Sequence, residues 1–276
     1  MTSVSSTIPT HGNYHNYHRY QNKLTTTSDT RLSLLPSSLF TNARVLDIGC
    51  NEGWVSCELA QKWSARRVIG VDIDGDLVRK AWMRRRTIWS RQSPLSPATV
   101  LSTPQADYFP ASCLHMFGPL PIPPSVLPRD HEFPHNVSFR HSDWPAQPIP
   151  EDTEGYDVVI AFSITKWIHL NTGDAGLERF FRRVYTALRQ GGTFVLEPQG
   201  WESYAKARKL DPVQNAKNLK LRPDSFGALL TQIGFSEGKT VGEVGEGRTS
   251  FPSPQTCHLL CERMFILLFH RVQTAN

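Results

Sequence analysis

The seven residues Asp47-Ile48-Gly49-Cys50-Asn51-Glu52-Gly53 constrain the fold more than any other stretch of the chain. A short apolar run, Arg44 to Ile48, leads into them, and Val55 to Trp63 leads out with apolar residues at helical spacing. A strand, a tight glycine turn and a helix in that order open a parallel α/β sheet, because a ligand seated there needs the backbone to approach it closely. The alternation continues with a β-branched run at Val68 to Ile73 and an amphipathic stretch at Leu77 to Trp89. Asp72 ends the second strand, about 20 residues past the loop, where such sheets place a carboxylate on ribose hydroxyls. Asp143 follows a third strand at Val137 to Phe139 and is placed to read an adenine amino group.

Further along, Tyr156 to Ser163 reads as a buried strand, Asp174 to Arg189 as a helix closed by Gly191-Gly192, and Thr193 to Glu197 as another strand. A polar helical stretch follows at Trp201 to Leu210, then a helix at Pro223 to Ile233. The apolar run Phe265 to Phe269 is expected as an edge-region strand in a hairpin with a strand near Phe235. Ser90 to Pro134 carries ten prolines and little periodicity, which predicts a disordered insertion. The expected fold is α/β: a Rossmann-like, seven-stranded mixed sheet with helices on both faces, in one domain over 11–276 after a disordered tail at 1–10.

With 276 residues, 39% of them hydrophobic and 20% charged, the chain can bury one sizeable core. A net charge of +5 suits a polyanionic partner, although modest basicity also serves solubility. Five scattered cysteines do not form the framework of a small secreted protein, and Cys257 and Cys261 read as incidental thiols. No stretch approaches the ~20 apolar residues of a membrane span, so a soluble, intracellular protein with no membrane partner is expected.

A nicotinamide-binding loop usually has G-x-G-x-x-G, whereas here Asn51 stands at the central glycine position and Asp47 precedes the loop. That arrangement resembles motif I of class I methyltransferases, in which the acid lies beneath the methionine part of S-adenosylmethionine. Three more segments sharpen the resemblance: His11-Gly12-Asn13-Tyr14-His15-Asn16-Tyr17, Ser163 through Asp174 (Ser-Ile-Thr-Lys-Trp-Ile-His-Leu-Asn-Thr-Gly-Asp), and Leu196-Glu197-Pro198-Gln199-Gly200-Trp201. Together they resemble the bicoid-interacting-protein-3 family, the methylphosphate capping enzymes of small RNAs, over about residues 11 to 235. The resemblance implies S-adenosylmethionine as cofactor and a terminal phosphate oxygen at an RNA 5′ end as acceptor. It implies cofactor contacts at Tyr14, Arg31, Gly49, Cys50, Asn51, Asp72, Ile73, Asp143, Trp144 and Phe162, with Asp47 and Gly53 completing the loop.

The family has a branch acting on γ-phosphates and a branch acting on 5′-monophosphates. Lys166 before Trp167, like the proline-rich insertion, resembles the γ-phosphate branch. The implied partners are a small non-coding RNA with a 5′ phosphate and a ribonucleoprotein component. The implied location is the nucleus, with the cytoplasm second. A monophosphate methyltransferase, an RNA chaperone on the same fold, and a small-molecule or protein methyltransferase stand as alternatives.

A phosphate monoester has a second pKa of about 6 and is mostly ionised at neutral pH, so positioning and charge balance, not a strong base, should carry such a transfer. Lys166, His169 and Tyr14 are the expected catalytic donors. Tyr17, Lys166, Trp167, Glu197, Gln199, Ser203 and Tyr204 are the expected phosphate or RNA contacts. Tyr14, Tyr17 and Tyr20 also fit one packed face of a short helix. His11, His15 and His18 lack acidic or cysteine partners, and no metal is expected. Arg79, Lys80, Arg84, Arg85 and Arg86, interleaved with Trp82 and Trp89, read as a solvated face, an RNA-backbone contact or a nuclear-import signal. Gly245 to Cys261 is a weakly patterned extra stretch relative to the family.

Overall fold

The computed structural model describes residues 11–12, 28–92, 111–124, 131–207, 217–245 and 263–272. The elements run α1 (Thr30–Ser33), β1 (Arg44–Ile48), α2 (Trp54–Lys62), β2 (Arg67–Asp72), α3 (Gly75–Ser90), α4 (Ala111–Phe117), β3 (Val137–His141), β4 (Tyr156–Phe162), α5 (Thr165–Ala187), β5 (Leu188–Glu197), α6 (Trp201–Ala207), α7 (Phe226–Ile233), β6 (Lys239–Gly245) and β7 (Arg263–His270). They build a seven-stranded sheet in the order β3-β2-β1-β4-β5-β7-β6. The first five strands are parallel; β7 runs antiparallel between β5 and β6. No helix among the described residues is long and apolar enough to cross a membrane.

Every residue of β1 is buried, as a strand covered on both faces requires. On one face, Leu32 of α1, Val55 and Leu59 of α2 and Val78 and Ala81 of α3 pack against Val45, Val68 and Val158. On the other, Leu177, Phe180, Phe181 and Val184 of α5 and Phe226 and Leu230 of α7 cover Leu46, Val159 and Phe194. A third cluster joins Trp167 and Leu170 to Tyr204, Ala207 and Leu219. Because β1 lies between β2 and β4, the connections leaving β1 and β4 pass to opposite faces, and a crevice opens at their carboxyl ends.

Four expectations are completed or corrected by the structure. The helix expected from Asp174 begins there, because Gly173 (φ 70°, ψ −177°) is non-helical and divides α5, but the preceding helical segment 165–172 was not expected. Gly191 and Gly192 do not close that helix, which ends at Ala187. They loop out of β5 between Leu188, paired with Tyr156, and Thr193, paired with Val158. The last strand lies in the edge region as expected, second from the edge: β7 pairs on both sides, its antiparallel partner 239–245 begins just past Phe235, and Phe235 itself adds a single bridge to Arg271. The proline-rich insertion holds the helix α4 and docks on α3, where the Leu120 carbonyl accepts from Arg86 Nε at 2.8 Å. The tail 1–10, residues 93–110 and 125–130 of the insertion, and 246–261 of the extra stretch lie outside the described residues, as do 208–210 of the helix expected to reach Leu210.

The close approach of α2, α3 and β3 beneath the loop depends on Gly53. Its φ is +75°, and a Cβ there would lie 2.8 Å from both Ala81 and the Phe139 ring. Left-handed strain and overpacking each cost about 1–3 kcal/mol. Gly53→Ala is therefore expected to lower stability by about 2–4 kcal/mol, read as a fall in the thermal midpoint. A midpoint equal to that of the unaltered protein would contradict this packing.

Candidate active site

A cavity of about 480 Å³ occupies the crevice. Asp72, Ile73 and Asp143 line one end, Gly49, Asn51, Phe162 and Ser163 the middle, and Lys166, Trp167, Asn171 and Gln199 the other end, with His11 and Gly12 also on its wall. A small adjoining hollow is lined by Arg31, Asp47, Cys50 and Val55.

The floor is shaped by backbone that only certain residues permit. Gly49 has φ +74°, and a Cβ there would meet Ile164 Cγ2 at 2.3 Å. Asn51 is left-handed (φ 50°), its N–H donates to Asp72 Oδ2 at 2.8 Å, and its own Oδ1 accepts from the Glu52 N–H. The other Asp72 oxygen accepts from the Asp74 N–H at 2.9 Å. One carboxylate thus fixes both the loop after β1 and the turn after β2, with lone pairs left for a ligand's hydroxyls.

Charge beneath the floor is concentrated and dry. Arg31 grips Asp29 through Nε and Nη2 (2.9 and 2.8 Å), gives Nη1 to Glu197 Oε2 at 3.1 Å, and lies 4.5 Å over the Phe162 ring. Ser163 Oγ also donates to Glu197, at 2.7 Å. Burial pushes the Glu197 carboxyl up, against the pull of Arg31 and Ser163. Asp47 accepts from Ser56 Oγ at 2.5 Å, and burial raises its pKa to about 6.

At the far end, Gln199 holds the start of α5. Its Oε1 accepts from the Lys166 N–H at 3.1 Å, and its Nε2 donates to the Ser163 carbonyl. Lys166 Nζ lies 5.0 Å from the Trp167 ring. Gly12 presses on that same indole, where a Cβ would fall 2.1 Å from Nε1.

Of the expected cofactor residues, Gly49, Asn51, Asp72, Ile73, Asp143, Trp144 and Phe162 line the main cavity, and Arg31, Asp47 and Cys50 the adjoining hollow. Gly53 sits behind the loop as the residue before α2. The Trp144 N–H is engaged with Asp152 at 3.0 Å. Lys166, Trp167 and Gln199 reach the cavity, whereas His169, Glu197, Ser203 and Tyr204 do not line it. His169 is fully buried: Nε2 meets Asp174 Oδ1 at 2.7 Å and Nδ1 meets the Tyr204 hydroxyl at 3.2 Å. Burial lowers its pKa, and the neutral tautomer these partners require donates to Asp174 and accepts from Tyr204. It is a strut behind the site, not a donor to a ligand. Ser203 Oγ turns to the Gly200 carbonyl. Tyr14 and Tyr17 lie outside the described residues.

Sequence reasoning did not assign Ile168, Asn171 and Thr172, which line the cavity from α5; the i, i+4 spacing of Trp167 to Asn171 and of Ile168 to Thr172 was the available signal. The basic helix α3 is largely engaged within the chain. Lys80 and Arg84 bind Glu52, Arg79 binds Asp76, and Arg85 and Arg86 reach carbonyls of Val137 and Leu120. Among the described residues, no three His, Cys, Asp or Glu side chains group to hold a metal.

The strand order, the glycine loop after β1 and the carboxylate after β2 define a class I S-adenosylmethionine-dependent methyltransferase fold. A chain of the complex containing the Haloferax volcanii Trm112 methyltransferase activator shares this fold, with TM-score 0.54 and 11% identity over 88% of each chain. Residues 156–254 match the family described as Bicoid-interacting protein 3. The U6 snRNA methylphosphate capping enzyme Amus of Drosophila melanogaster is 31% identical over 255 residues, covering 88% of this chain and 72% of that protein. The 7SK snRNA methylphosphate capping enzyme of Homo sapiens is 34% identical over 289 residues, 96% of this chain. The chain spans 40% of the length of that human protein. The chain belongs to the Bicoid-interacting protein 3 family.

The raised pKa of Asp47 has a sign that can be tested. Its carboxyl ionises at about 6 when folded against 3.8 ordinarily, so between those values the folded chain holds a proton that the unfolded chain releases. The stabilisation is complete below 3.8 and is lost as pH rises through about 6. Above that, the buried charge costs about 1–3 kcal/mol. Asp47→Asn is expected to raise the thermal midpoint at pH 7.5 by more than at pH 4.5, measured by calorimetry. An equal change at both pH values would refute the assignment.

Proposed function

We propose that the chain is an S-adenosylmethionine-dependent RNA methyltransferase that places a methyl group on the γ-phosphate at the 5′ end of a small non-coding RNA. The observation that carries this reading is one cavity with nucleoside-type carboxylates at one end and a lysine among amide donors at the other. The residues fit the cofactor. Asp72 and Asp143 suit a ribose and an adenine amino group, Gly49 leaves space that a Cβ would fill, and Asp47 is a buried acid whose ionisation a cationic amino group would restore.

When bound, the cofactor supplies an electrophilic methyl group on a sulfonium. Toward the acceptor, Lys166 balances phosphate charge, and Asn171 and Gln199 offer amide groups that orient it. No general base is needed for a phosphate oxygen already ionised at neutral pH, so these residues act by alignment and charge. Trp167, covered by Gly12, and Phe162 keep water from the reacting oxygen. Relatives named as capping enzymes of 7SK and U6 small nuclear RNA support an RNA acceptor, and a nuclear place of action and a ribonucleoprotein partner are part of the same proposal.

Purified protein incubated with isotope-labelled methyl donor and RNAs ending in 5′-triphosphate, 5′-monophosphate or 5′-hydroxyl tests this. Label is expected on the triphosphate RNA, released with its γ-phosphate, and Lys166→Ala should lower kcat/KM by roughly a hundredfold. Label only on monophosphate RNA would move the acceptor to that phosphate, and label on none would remove the RNA reading.

A further inference from the structure

Outside the residues that line the cavity, Trp201, Tyr204 and Arg222 lie against one another. The Trp201 ring lies on Tyr204 with centroids 4.6 Å apart and 27° between planes, and the Arg222 guanidinium lies 3.5 Å from the Trp201 centroid. Tyr204 is buried, Trp201 half-buried and Arg222 exposed. A guanidinium over an indole face is held by cation–π attraction and still has N–H donors for phosphate oxygens.

Arg222 ends a loop whose side chains alternate. Leu219 and Pro223 point inward, Leu219 into the cluster with Trp167, while Lys217, Lys220 and Arg222 are exposed. Asp174 pins the loop by accepting from the Lys220 and Leu221 N–H groups at 2.9 and 3.2 Å, and the same carboxylate receives His169. Among the described residues these three cations form no ion pair, unlike the cations of α3. Glu202 and Asp224 are exposed on the flanks, and Asp174 is spent on the loop amides. Through Leu219 and Trp167 the loop stands one layer of side chains from the end of the cavity where Lys166 lies.

We propose that Lys217, Lys220 and Arg222, with Arg222 fixed on Trp201, form a second RNA contact that holds phosphodiester groups of the strand just beyond its 5′ end. The proposal rests on the RNA reading above and extends it from the terminal phosphate to the body of the substrate. Such a contact adds affinity for long RNA without touching the reacting atoms, and it releases counterions on binding.

The test compares the unaltered protein with Lys217→Gln/Lys220→Gln/Arg222→Gln on two acceptors, an RNA of about 20 nucleotides, long enough to reach past a single-strand site, and a 5′-triphosphate dinucleotide. The expected result is a KM for the long RNA raised about tenfold and a slope of log affinity against log salt reduced by about 2, with kcat and the dinucleotide KM unchanged. Arg222→Lys, which keeps the charge but loses the planar stack, should preserve most of the salt slope. An unchanged KM and slope for the long RNA overturns the proposal. An equal rise in KM for both acceptors also overturns it, because the loop would then act on the cavity through Asp174 and His169. Binding measured by fluorescence anisotropy without methyl donor separates the two readings: if no RNA is methylated yet the variant still binds long RNA more weakly, the methyl-transfer reading fails and this surface stands.

Discussion

A single buried guanidinium, that of Arg31, lies where three acidic groups converge: Asp29 and Glu197 bind it directly, and Asp47 feels its charge. Buried ions are tolerated only when paired, and removal of one partner from such a set typically costs several kcal/mol. Among the described residues Arg31 faces both Asp29 and Glu197, and burial pushes Asp47 and Glu197 toward their neutral forms. The same guanidinium ties the segment before β1 to the end of β5, and through Glu197 to the Ser163 turn after β4.

The parts of the fold that were legible in the sequence are those governed by local periodicity and by steric necessity. β1, the loop to Gly53, β2 and the carboxylates at 72 and 143 follow from apolar runs and from positions where a Cβ would collide. What escaped was decided by tertiary contacts. The first segment of α5, 165–172, is too short and too polar for a periodicity argument, and only the segment after Gly173 shows as a helix in the sequence. The Gly191-Gly192 loop looks like a helix end, although its backbone bonds with Arg271 place it in the sheet. The pairing of β7 with a strand just past Phe235 was legible, whereas its insertion between β6 and β5 was set by the sheet.

The same division separates the site residues. Lys166 and Gln199 reach the cavity as expected, since both follow strand ends at the open edge of a parallel sheet. His169 is equally polar and only one turn further on, but it points into the packing between α5, α6 and α7, where Phe226 and Tyr204 surround its ring. Which side of a helix a histidine faces depends on what covers the helix, and α6 and the 217–222 loop cover that side. The sequence carried the residue types, and the third dimension assigned them between contact and support.

The kink at Gly173 also partitions change. Residues 174–187 are locked into the aromatic core with Phe180 and Phe181, so substitutions there would disturb the sheet itself. Residues 165–172 are held by Gln199 at the front, by Asp174 and Tyr204 behind and by the packing of Trp167 and Leu170 on Tyr204 and Leu219, and they carry much of the far end of the cavity. One element thus joins a half packed on the sheet to a half that faces the cavity, so a substitution before Gly173 can reshape the crevice while the packing of Phe180 and Phe181 on the sheet stays in place.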